Sequence, residues 1–238
     1  MAAPLEGYYV DFTNVQRRLG IMVTRQAVEA QKTNMISSMM VGLPDAEIKL
    51  EQMSYAGVLN GAFASTTTGD GSYLCATDHY YEDPQYGQWS NTAASGSAFT
   101  TTSYFDAWSS FQSREGSNGT PEPKNPKYVV YPVGLAEQVM KIKASTQYPQ
   151  NSLNAKMPEM LNDFTPKICH WLTDTGAWFV FADEESMNRG LTVVWQTRPE
   201  YQSISDSMNP DLIMGKRLRV SFSVGAVHGR DIYGNSGA

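Results

Sequence analysis

Gly215–Ala238, GKRLRVSFSVGAVHGRDIYGNSGA, opens with an apolar strand flanked by arginine, RLRVSFSVGAV, and closes on a basic tail punctuated by glycine. No catalytic signature occurs in it. Working back toward the N-terminus, RGLTVVWQTRPEY (Arg189–Tyr201) reads as another strand. In KICHWLTDTGAWFVFA (Lys167–Ala182) two apolar runs flank turn chemistry, which predicts a β-hairpin. YVVYP (Tyr128–Pro132) reads as a buried strand, and Val133–Ser145 as a helix with Leu135, Val139 and Ile142 along one side. Ser97–Glu115 is a further helix candidate whose apolar face is Tyr104, Phe105, Trp108 and Phe111. Between these, 66–96 and 116–126 are rich in Ser, Thr, Gly, Asn and Pro and read as loops.

At the other end, Tyr8–Gln16 predicts a strand or an extended arm. Thr24 is placed to cap a helix over Arg25–Met40, with Val28, Gln31, Met35 and Met39 at helical spacing. Gly42 and Pro44 should break it, and Asp45 should cap a second helix carrying Ile48, Tyr55, Leu59, Ala62 and Phe63. Met22, Met35, Met39, Met40 and Met53 suit a core or a subunit interface. Helices and strands alternate without a βαβ rhythm, so the fold class is α+β.

Composition narrows the function. With 238 residues, 41% hydrophobic and 18% charged, the chain can bury a sizeable core. A net charge of -6 argues against a protein that wraps nucleic acid. The most apolar run, WFVFA, is far too short for a membrane span, and the first residues lack a signal-peptide pattern. Cys75 and Cys169 are expected to be reduced thiols of a cytosolic protein.

Two chemistries were weighed. Asp174-Thr175-Gly176 resembles the catalytic turn of aspartic proteases, which here would need a homodimer to supply the second aspartate; a plain hairpin turn explains the same residues. Cys75, His79, Cys169 and His170 have the ligand types of a zinc site, but adjacent residues on a strand point to opposite faces. No nucleotide-binding loop, G-x-S-x-G elbow or H-E-x-x-H occurs.

Leu19-Gly20-Ile21 with Thr24-Arg25, the segment Pro126-Lys127-Tyr128-Val129-Val130 with Pro132 and Leu135, and the tail residues Arg219, Val220, Val224, Gly225, Arg230, Tyr233 and Gly234 follow one another in a familiar order. Together they resemble the major capsid proteins of tailed bacteriophages, the Mu-like head subunits above all. The resemblance implies the Hong Kong 97-type fold, with a spine helix at about 25–64. It implies a peripheral domain of 1–65 and 210–230 and an axial domain of 66–209 and 231–238. It also implies a structural head protein, without catalytic residues, metal or cofactor, that self-assembles as pentamers and hexamers of an icosahedral shell around double-stranded DNA. Scaffold, portal and decoration proteins are the further partners it suggests, with weak contact to packaged DNA, no membrane, and assembly in the host bacterial cytoplasm into the virion. Arg17, Arg18, Arg25, Lys216, Arg217, Arg219 and Arg230 are then the expected intersubunit contacts. Encapsulin-type compartments share this fold and are the alternative within the class. Family members carry an N-terminal arm and an extended β-hairpin loop before the spine, for which only Tyr8–Arg18 is available here.

Overall fold

The computed structural model describes residues 7–30, 33–116, 119–145, 163–183, 190–204 and 212–237. Contacts divide the chain into a larger unit (Met1–Val10, Ala56–Thr192, Gly225–Ala238) and a smaller one (Asp11–Tyr55, Val193–Val224).

The smaller unit is built on a three-stranded sheet of β1 (Val15–Thr24), β8 (Leu212–Ala226) and β7 (Leu191–Ile204), with β8 in the centre and β1 antiparallel to it. Register pairs Val15 with Phe222, Arg17 with Val220 and Leu19 with Leu218, so these residues share one face. Leu218, Val220 and Phe222 are buried there, and the Trp195 ring lies 4.9 Å from that of Phe222. After β1 the Thr24 hydroxyl accepts from the Ala27 N–H and starts α1 (Arg25–Glu29). This helix is shorter than expected. The long α2 (Thr33–Asn60) runs through the predicted break, with Pro44 inside it and Asp45 an interior residue, not a cap. A proline here loses one backbone hydrogen bond; 27 other residues keep the helix, and Leu43 is buried beside it. Ala46 and Leu50 of α2 line a cavity of about 220 Å³ with Arg17, Leu19, Leu218 and Val220. Residues 7–14 form no strand.

The larger unit centres on a four-stranded sheet ordered β5 (Thr165–Ile168), β4 (Pro126–Tyr131), β6 (Trp178–Ala182), β9 (Ile232–Asn235). β4 runs parallel to β5 and antiparallel to β6. The predicted hairpin of 167–182 is therefore corrected: its two arms do not pair with each other, because the more buried β4 lies between them. Two helices complete the unit. α3 (Thr101–Gln112) starts at a capping box in which the Thr100 and Ser103 side chains each bond the other's backbone N–H. It buries Tyr104, Ala107 and Phe111 but leaves Phe105 exposed, against expectation. α4 (Ala136–Ala144) follows a 3-10 turn and, with that turn, buries Leu135, Val139 and Ile142 as its spacing predicts. Trp178 is fully buried between Phe99, at 5.1 Å, and Tyr233, at 6.1 Å, and its indole N–H donates to the Ser97 carbonyl. Two short strands, β2 (His79–Tyr80) and β3 (Gln88–Trp89), pair antiparallel in the loop-rich stretch.

Candidate functional site

Six of the seven basic residues expected to make contacts between subunits fall in the smaller unit. Alternation along β1 and β8 sorts five of them by face. Arg17 stands on the buried-face register, its guanidinium 5.3 Å from the Phe222 ring centre, and Lys216 shares that parity opposite Ile21. Arg18 and Arg219 stand on the other face, directly opposite one another, with Arg217 two residues along from Arg219. Arg25 opens α1 and is exposed. Arg230 belongs to the larger unit, with its guanidinium 5.9 Å from the ring centres of both Tyr81 and Trp89. The structure thus places five of the seven on one sheet, three on one face and two on the other, and sets Arg230 in a different environment.

Glutamines serve two of the three arginines of that second face. Arg18 donates to Gln16 Oε1 at 2.6 Å, Arg217 donates to Gln202 Oε1 at 2.6 Å, and the Ser221 hydroxyl donates to Gln196 Oε1 at 2.8 Å. Among the described residues no carboxylate lies within ion-pair distance of Arg17, Arg18, Arg25, Lys216, Arg217 or Arg219. Leu19 (46% exposed) and Met22 (66%) add apolar surface to β1, and Met39 and Met53 are likewise exposed on α2.

Sequence reading missed a buried polar network in the larger unit. Asn91 donates from Nδ2 to the carbonyls of Leu74 and Gly229, which leaves its Oδ1 to accept from the Ala76 N–H and from His79 Nε2. His79 Nδ1 lies 2.8 Å from Asp70 Oδ2, so both ring nitrogens face acceptors. Burial pushes the Asp70 carboxyl up, but hydrogen bonds from His79 and Thr68 and the nearby His79 charge outweigh it and hold the group down to about 2. Arg114, buried against Phe111 and Trp89, donates to the carbonyls of Gly229, Arg230 and Ile232, and burial lowers its pKa to about 10. Lys124 makes a buried ion pair with Asp231 at 2.6 Å. The clue in the sequence was polar residues such as Asp70, His79, Asn91 and Lys124 inside segments that read as loop, with Arg114 at the end of a predicted helix.

The two alternative chemistries find no support. Asp174 is exposed and its Oδ1 accepts from the Gly176 N–H, so it closes its own turn. Among the described residues no three His, Cys, Asp or Glu side chains are grouped to hold a metal, so Cys75, His79, Cys169 and His170 are not brought together as a site. Burial raises the Cys75 thiol well above the usual range, and both cysteines are free. No described helix is long and apolar enough to cross a membrane.

No curated protein matches the sequence. Among solved structures, the capsid of Ralstonia phage GP4 superposes with a TM-score of 0.56 at 12% identity, over 97% of this chain and 75% of that one. The capsid of cyanophage P-SCSP1u gives 0.50 at 10% identity, over 94% and 71%. The expected α+β, Hong Kong 97-type fold is thereby shown. The family model described as phage capsid protein matches residues 11–234, nearly the whole of the described sequence, and the chain belongs to that family.

Proposed function

We propose that this chain is the major head protein of a tailed phage and that identical copies build pentamers and hexamers of an icosahedral shell around double-stranded DNA. The observation that carries the reading is the family match across residues 11–234. It favours a phage head over a compartment shell of the same fold. The smaller unit, with its long sheet and most of α2, is the candidate peripheral domain, and the larger unit the axial one. Under this reading the protein works through its surfaces, without catalysis, and a net charge of -6 lets DNA fill the interior without being clamped. Scaffold, portal and decoration proteins are its further partners, and the virion its destination after assembly in the host cytoplasm.

The test is negative-stain electron microscopy of the purified chain, paired with light scattering after size exclusion across a range of concentrations. Closed shells or rings of five and six copies are expected. A monomer or simple dimer throughout would overturn the reading.

A further inference from the structure

Arg18 and Arg219 present a problem in electrostatics. Directly opposed residues of an antiparallel pair place their Cβ atoms roughly 5 Å apart, and like charges there destabilise the sheet. A chain that keeps two guanidiniums so placed, with a third from Arg217 on the same face, gains from something that the described residues of the isolated chain do not supply. Glutamine oxygens solvate Arg18 and Arg217 but bring no negative charge. Glu200, on the same face by its spacing from Gln202, accepts from the Gln202 amide and forms no ion pair with these arginines. Guanidinium forks match carboxylates in two-point hydrogen bonds, and a pair of them accepts two carboxylates or one held between them.

The chain itself holds the complementary charge. Its smaller unit has nine basic and eight acidic residues, whereas the larger has nine basic and sixteen acidic. All of the surplus negative charge therefore sits in the unit that lacks this arginine face. A polyanion such as DNA would meet a flat face of three arginines on a protein whose net charge opposes it, so a carboxylate surface is the better match.

We infer that the Arg18, Arg217 and Arg219 face of the β1–β8–β7 sheet is a docking surface for carboxylates of the larger unit of a second copy of this chain. The contact is heterologous: one copy offers the arginines, the next the acids, and the same pairing repeats from copy to copy. This rests on the shell-forming reading above and names the surface that would be used.

The test compares the full-length chain with Arg18→Gln/Arg219→Gln and Arg18→Glu/Arg219→Glu under conditions in which the wild type forms shells. Assembly is read by light scattering and microscopy, and folding by thermal unfolding. The glutamine variant should melt at or above the wild-type temperature, since it loses the like-charge pair, while its assembled fraction falls several-fold. The glutamate variant should lose assembly at least tenfold. Raising salt from about 0.05 M to about 0.5 M should weaken wild-type association as well. Undiminished shells from a folded glutamine variant overturn the inference. So does a short fluorescent DNA duplex that binds the wild type and not the variants while both still assemble, which would give the face to nucleic acid. A wild type that forms no shells at all sinks the shell-forming reading instead.

Discussion

Arg114 and Lys124 in the larger unit are buried and are held by carbonyls and a carboxylate from residues 229–232, whereas Arg18 and Arg219 in the smaller unit face each other without a described counter-charge. The apolar residues divide less sharply. Trp178, Tyr104 and Phe111 are closed off inside the larger unit, while Leu19, Met22, Met39 and Met53 stand exposed in the smaller one. The larger unit also exposes Phe105 and Met140, so the units differ chiefly in their cations: the larger encloses Arg114 and Lys124 with its own oxygens, whereas the smaller keeps a like-charged pair without a described counter-charge. Buried groups without partners cost stability, while exposed ones cost little until a partner arrives. The two units should therefore respond differently to substitution.

The largest effect is expected at Trp178→Ala, which removes a fully buried ring and the bond to Ser97. Unfolding by denaturant should show a loss of about 3–5 kcal/mol. Lys124→Met, which strands Asp231 in the interior, should cost about 3 kcal/mol by the same measurement. The exposed pair Lys127–Asp163 serves as control, and Lys127→Met should change stability by less than about 1 kcal/mol.

Next comes the acid limb. Asp70 is held down to about 2 from an ordinary value of 3.8, so its contribution to folding is complete above about pH 4 and is lost as pH falls toward 2. Asp70→Asn should lower stability at neutral pH by about 1–2 kcal/mol and flatten the fall in melting temperature between pH 4 and 2. At the bottom of the scale, Met22→Ser should change monomer stability by less than about 0.5 kcal/mol. A large destabilisation there would break the contrast between the units by showing that the smaller one already buries this side chain.

Legibility in the sequence followed local pattern. Helical spacing located Leu135, Val139 and Ile142 on a buried face, and the runs read as strands at 128–132, 189–201 and 217–227 fall largely within β4, β7 and β8. Where partners lie far apart in sequence, local pattern said nothing. The segment 167–182 looked like a hairpin because its two arms are close neighbours in the chain, yet β4, some 40 residues earlier by the pairing of Tyr131 with Ile168, separates them. Pro44 was read by its intrinsic cost, which the rest of α2 overrides. The arginine candidates were found from sequence, but their pairing across β1 and β8 depended on register, which no single strand carries.

Asn91, Arg114 and Lys124 reach forward to residues 229–232 across separations of 138, 115–118 and 107 residues, and β9 then joins β6. Loops of that length close slowly, and contacts so distant reward the chain only after the closure is complete. During translation the larger unit has no tail to grip until the segment through Asn235 has left the ribosome. A nascent copy therefore cannot present that unit's finished surface before this tail has been synthesised.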